Sequence, residues 1–266
     1  MQLATSLTRR GFLRAAALAG AAGILAACGP ATAAPSGNYY LDHKPDILKD
    51  VKSILHFVQQ SAAGRFGAAE AEALVAEGLA EYDRLLPGLP YIGGDDNTLT
   101  ANLCQSAAAL AFYRAMRAHG HDVARTGEVL YRATQNQLAA TPMLGAAGRS
   151  ALSETEQRRL QRVAERSHAR QYPDDWVYDF VPGDGTTFTF GIDYRECGIC
   201  KYLQAQGASE LTPYLCLLDF PISAALNTGL VRTTTLARGD SRCDFRYRHG
   251  RPCRREWTPD FLKDEV

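Results

Sequence analysis

The segment Phe188-Thr189-Phe190-Gly191-Ile192-Asp193-Tyr194 marks where the chain changes period. It alternates in the strand manner and is rich in aromatic and β-branched residues. Pro182-Gly183-Asp184-Gly185 before it is a turn signal. Upstream, residues 45 to about 167 read as helix. Residues 46–60 place Ile47, Val51, Ile54, Leu55 and Val58 on one stripe. Residues 68–86 do the same with Leu74, Leu79, Tyr82 and Leu86, and Pro87-Gly88 ends that helix. Asn97 is the expected cap of a helix running to His119, with Gly120 at its stop. Residues 122–140 form another, and Ser153 with Glu156 makes a capping box for a helix through Ala169. Downstream, residues 209 to about 227 read as helix, with Ser209 as cap, Glu210 in the first turn and Pro221 as a kink or break. Residues 230–236 and 243–248 read as two strands joined by a turn. The fold class is therefore α+β: a helical N-terminal half followed by a small antiparallel sheet with a helix packed across it.

Lys+Arg and Asp+Glu balance at 29 each, so no cationic excess points to nucleic acid. A hydrophobic content of 46% is enough for a substantial core. Residues 1–28 read as processing sequence. Thr8-Arg9-Arg10-Gly11-Phe12-Leu13 is a twin-arginine export signal, and the apolar run after it is too short to span a bilayer, which needs roughly 20 residues. Leu25-Ala26-Ala27-Cys28 has the form of a lipobox with Cys28 as the lipidated residue; the alternative is an ordinary signal peptide cleaved a few residues later. Residues 29–44 are expected as a flexible tether. Residues 45–266 are expected as one α+β domain, its helical part about 45–170 and its sheet-containing part about 171–255. The expected location is the periplasmic side of a bacterial membrane, reached by the twin-arginine route and held by a lipid anchor. That compartment permits disulfides, and the six cysteines after Cys28 allow 15 pairings.

Four cysteines, Cys197, Cys200, Cys216 and Cys243, fall within about fifty residues together with Glu196, Glu210, Asp219 and Asp240. Such density suits a metal site or a nucleophile. Cys197-x-x-Cys200 is a pair of metal ligands, a redox pair, a disulfide or two buried thiols, and is expected to be structural or metal-linked rather than nucleophilic. A second Cys-x-x-Cys, which would make a zinc ribbon, is absent. Cys216 and Asp219, three apart, share a helix face, although the leucines around Cys216 favour an inert buried thiol. Cys243 follows the Gly239-Asp240 turn, and strand alternation puts it on the same side as Phe245, the core side. It is a candidate nucleophile, with a core thiol or a disulfide to Cys253 as the alternatives. His119, His121 and His168 read as helix-end residues. Seven arginines between Arg238 and Arg255 form a solvated face that a small anionic substrate could use.

These residues also carry a resemblance. Glu196-Cys197-Gly198-x-Cys200, Glu210-Leu-x-Pro-Tyr-x-Cys216-x-x-Asp219 and Thr235-Leu-Ala-x-Gly239-Asp240-x-x-Cys243-Asp-Phe245 resemble the L-2-amino-thiazoline-4-carboxylic acid hydrolase family. Residues 93–120 and 172–193 are similar to further parts of it. The Gly-Asp-x-x-Cys-x-Phe ending is also similar to the ligand-binding domains of vinyl-reductase type. The first resemblance implies a hydrolase that opens 2-amino-thiazoline-4-carboxylate to N-carbamoyl-cysteine. The second implies a non-catalytic periplasmic lipoprotein that binds a small ligand or a metal. On the hydrolase reading Cys243 is the nucleophile, Asp240 or Asp219 accepts the proton, and Cys216 stands beside them. Glu210 and Arg246 are the candidate substrate-binding residues. A divalent metal such as zinc or manganese, with Cys197 and Cys200 as ligands, is the other way to activate water. The expected partners are a small-molecule substrate and, through the lipid anchor, a membrane.

Overall fold

The computed structural model describes residues 37–141 and 144–265, so the expected export signal and the expected lipidation at Cys28 lie outside the described residues. Packed structure begins earlier than expected. Asn38 Oδ1 accepts the N–H groups of Tyr40 and Leu41 and caps helix α1 (Tyr39–Asp42). Tyr40 is buried, with its hydroxyl donating to the Pro90 carbonyl at 2.6 Å. Residues 37–44, expected as tether, are thus fixed by a buried tyrosine.

Helix α2 (Lys44–Phe66) buries Val51, Leu55, Val58 and Ala62, spaced so that one stripe faces inward. α3 (Ala68–Leu85) buries Ala71, Leu74, Gly78 and Tyr82. A Cβ on Gly78 would lie 3.3 Å from the Phe112 Cα of α4 (Thr100–Ala118), so glycine lets those two helices approach closely. α4 is alanine-rich and buried on nearly every side, which makes it the central helix. Asn97 sits ahead of it rather than at its cap: its side chain accepts the Leu99 N–H and donates to the Ile92 carbonyl and to Asp175. Asp122 caps α5 (Val123–Ala139) through the Arg125 N–H at 2.8 Å. Helix α6 (Leu144–Ala151) was not legible, because two glycines dilute its helical pattern. Ser153 caps α7 (Glu154–Ser167) as expected.

The sheet has three antiparallel strands in the order β1 (Val177–Pro182), β2 (Phe190–Glu196) and β3 (Cys243–Tyr247). Ile192 pairs with Phe245 and Tyr194 with Cys243. Cys243, Phe245 and Tyr247 are buried while Asp244 and Arg246 are not, as alternation requires. The strand expected at 230–236 does not form; only Val231 bridges, to Arg246 and Arg254. Carboxylates take the N–H groups that a ladder would use. Asp244 accepts from Thr233 and Thr234, and Asp240 accepts from Thr235.

The helix expected at 209–227 is split. Ser209 makes no side-chain cap, and a 3-10 turn at Ser209–Leu211 leads into α9 (Thr212–Leu217) and then α10 (Asp219–Leu226). The break at Leu218 lies where Pro221 withholds its N–H from the turn before it. A further helix, α8 (Gly198–Ala205), starts directly after β2. Among the described residues no helix is long and apolar enough to cross a membrane.

Candidate active site

Helices α2, α4 and α5 face the β2–β3 end of the sheet and the short helices across a cavity of about 120 Å³. The helical wall is apolar, with Ile54, Leu55, Val58, Phe112 and Leu130 on it. Asn102 and Gln105 interrupt that wall. Asn102 Oδ1 and Gln105 Oε1 are buried and have no hydrogen-bond partner. An acceptor left unmet in a protein interior costs about 1–3 kcal/mol. The opposite wall carries Cys197, Cys216, Cys243, Asp219 and Arg232.

The three thiols differ because their backbones differ. Cys197 is the N-cap of α8, with extended backbone at φ −127°. No side-chain capping hydrogen bond forms at Cys197; the donor groups around its sulfur are first the Cys200 thiol, then the N–H groups of Cys200 and Ile199, and the Trp176 indole. Together they hold Cys197 below the usual thiol range, against burial, which acts the other way. Cys200 is pushed up, chiefly by its hydrogen bond to Cys197 and then by burial, and keeps its proton. Glycine at 198 makes this possible: a Cβ there would meet the Trp176 ring at 2.6 Å and the Asp174 carbonyl at 2.8 Å. Cys216 is pushed well up by burial, despite Arg232 nearby. Cys243 is pushed up to about 11 by burial, although the Leu236 N–H donates to its sulfur at 3.2 Å and the Thr235 hydroxyl lies 3.4 Å away.

Arg232, only 1% exposed, organises the ionic side of the cavity. Its NH1 donates to Asp219 Oδ2 at 2.6 Å, its Nε and NH2 grip both oxygens of Glu256, and NH2 also reaches the Cys216 carbonyl. The rings of Phe220 and Phe245 lie 4.8 and 5.0 Å from the guanidinium carbon. Asp219 is raised to about 7 even so. Burial raises it first, Glu256 adds repulsion, and the Arg232 pair offsets only part of this.

Several expected site residues lie elsewhere. Asp240 does not line the cavity; it closes its own turn on the Thr235 N–H. Glu210 accepts from the Tyr113 hydroxyl at 2.8 Å, and Arg246 is bonded to Asp193 and to the Phe245 carbonyl, both away from the lining. His119 and His121 pair with Glu77 and Glu70, and His168 with Asp179. All six cysteines among the described residues are free thiols, including Cys243 and Cys253. Among the described residues no group of three or more His, Cys, Asp and Glu could hold a metal ion. The one carboxylate on the cavity is already bound to Arg232, so the residues do not fit the zinc or manganese site considered from the sequence. Sequence reasoning missed Arg232, Glu256 and Trp176. The available signal for Arg232 was a single charge inside the apolar and threonine-rich run Leu230-Val-Arg-Thr-Thr-Thr-Leu236.

Fold and cavity together define an α+β protein with a thiol-lined internal site of small-molecule size. The chain belongs to the L-2-amino-thiazoline-4-carboxylic acid hydrolase family, whose sequence model matches residues 101–247. That span contains the sheet and every thiol and charged group placed on the cavity above. No curated protein and no solved structure matches the chain.

Proposed function

We propose that the protein is a cysteine hydrolase that opens a C–N or C–S bond in a small cyclic amidine or amide. The family's name supplies the reference substrate, 2-amino-thiazoline-4-carboxylate, and the resemblance implies its opening to N-carbamoyl-cysteine. The observation that carries the reading is Cys197: a thiol held below its ordinary range at a helix N-terminus, on the same cavity as a carboxylate that titrates near 7. The nucleophile expected at Cys243 is reassigned here, because a thiol raised to about 11 is almost wholly protonated at neutral pH.

In this mechanism the Cys197 thiolate adds to the ring carbon. The ring bond to nitrogen or sulfur breaks, and the protonated Asp219 donates a proton to the departing atom. Water then adds to the carbon of the covalent adduct and gives its proton to the Asp219 carboxylate. The C–S bond to Cys197 breaks and regenerates the thiolate. Arg232 is a positioning residue that keeps Asp219 at the cavity. The test is turnover of a panel of cyclic amidines and amides, with mass spectrometry of the quenched enzyme. An adduct on Cys197, and no turnover by Cys197→Ser, support the mechanism; full activity of Cys197→Ser contradicts it.

We also propose export and lipid anchoring, on the twin-arginine signal and Leu25-Ala26-Ala27-Cys28. Cys28→Ser should move the protein from the membrane fraction to the soluble one. A wild-type protein that is already soluble contradicts the anchor.

A further inference from the structure

Two features of the cavity bear on what it accepts. The first is charge. Apart from the Cys197 thiol in its ionised form, Asp219 and Arg232 are the only charged side chains among the residues lining it. Arg232 directs its donors to Asp219, Glu256 and the Cys216 carbonyl, and aromatic rings flank its guanidinium. A carboxylate entering the cavity would therefore find no unpaired cation among the lining residues. It would instead meet Asp219, whose partner Arg232 is already shared with Glu256 behind the wall. The second feature is the helical wall. Asn102 and Gln105 are three apart on α4, so they share a face. Each has its carbonyl oxygen buried with no partner. Oxygens of this kind are met by N–H groups. The walls around them are mostly apolar, with Ser106, Thr134 and Gln137 the other polar side chains on the helical side.

We propose that the cavity takes a small ring compound with N–H groups and no carboxylate, its N–H groups satisfying Asn102 Oδ1 and Gln105 Oε1 and its apolar edge lying against Leu55, Val58 and Phe112. The size agrees: an apolar cavity of about 150 Å³ holds a benzene-sized guest, and this one measures about 120 Å³. The preferred substrate is then a lactam or cyclic amidine lacking the acid group of the family's named substrate. The proposal rests on the hydrolase reading only for which end of the ring reacts; the preference itself is a statement about binding.

The test therefore measures binding without turnover. The probes are two matched pairs, 2-pyrrolidinone with its 5-carboxylate and 2-amino-2-thiazoline with its 4-carboxylate, titrated calorimetrically into the Cys197→Ser protein. The expected result is that the carboxylate-free member of each pair binds at least tenfold tighter. Asn102→Leu should weaken that member about tenfold while its melting temperature shows a folded protein. Gln105→Met supplies the same readout should Asn102→Leu fail to fold. Equal or tighter binding of the carboxylates overturns the proposal, as does no binding by any probe, or unchanged affinity in the folded variants. Inactivity of the wild-type protein toward these probes, with the expected binding order in Cys197→Ser, would count against the hydrolase reading and leave this one standing.

Discussion

Two thiols open onto one cavity from opposite kinds of backbone. Cys197 ends a strand and caps a helix; Cys243 follows a turn and begins a strand. Both are buried enough for burial to raise them, and both have donor groups nearby. Cys197 has four donor groups around it, two of them N–H groups of a helix terminus, and is lowered. Cys243 has one backbone N–H and a threonine hydroxyl, and is raised to about 11. The balance between donors and burial, rather than position next to a carboxylate in sequence, decides which sulfur can react.

The largest effect should come from exchanging the two sulfurs for oxygen separately. Cys197→Ser should lower turnover at least about a thousandfold, as loss of a covalent nucleophile does. Cys243→Ser should stay within about tenfold. Steady-state kinetics on one active substrate checks both, and the reverse order breaks the comparison.

Next comes the ionic side they share. Arg232→Leu leaves Asp219 and Glu256 buried without their cation, and removing one partner of a buried pair costs about 3–5 kcal/mol. Urea denaturation should show that loss; a change under about 1 kcal/mol would mean the cluster is not the buried network described.

Gly198→Ala sharpens the comparison at one thiol only. The added Cβ must displace Trp176 or the chain at Asp174, so Cys197 loses a donor. Its thiol pKa should rise and its alkylation at neutral pH should slow about tenfold, while Cys243 is unaffected.

The last effect concerns pH. Asp219 is raised to about 7 in the folded protein, above the roughly 3.9 of an unfolded aspartate. The folded state therefore binds more protons between about pH 4 and 7, and Asp219's contribution to stability falls as pH rises through that window. Asp219→Asn should remove that slope from the difference between the two denaturation curves; an unchanged slope contradicts the raised value.

Much of the fold was legible because periodicity reports burial. The stripes of α2 and α3, the Ser153 cap and the inward side of β3 all follow from residue type and spacing. The site was less legible because its determinants are long-range. Residues 230–236 look like a strand, yet Asp240 and Asp244 take the backbone donors of Thr233, Thr234 and Thr235. Nothing near Arg232 in sequence announces Glu256 or the two phenylalanines that enclose it. Asp240 lies three residues from Cys243 but turns to its own backbone. Asp219, on another helix, reaches the cavity. The Cys197-Gly-x-Cys200 motif was visible, but its meaning depended on a helix starting at Gly198 and on Trp176 lying against it.

Residue-resolved alkylation as a function of pH tests the central claim most directly. Cys197 and Cys243 line the same cavity, so one small reagent such as iodoacetamide samples both, and peptide mass spectrometry separates them. The expected result is half-maximal labelling of Cys197 below the ordinary thiol value of about 8.5, with Cys243 following only near 11. Labelling of Cys243 first, or of both together near the ordinary value, would contradict the assignment of Cys197 as the reactive thiol.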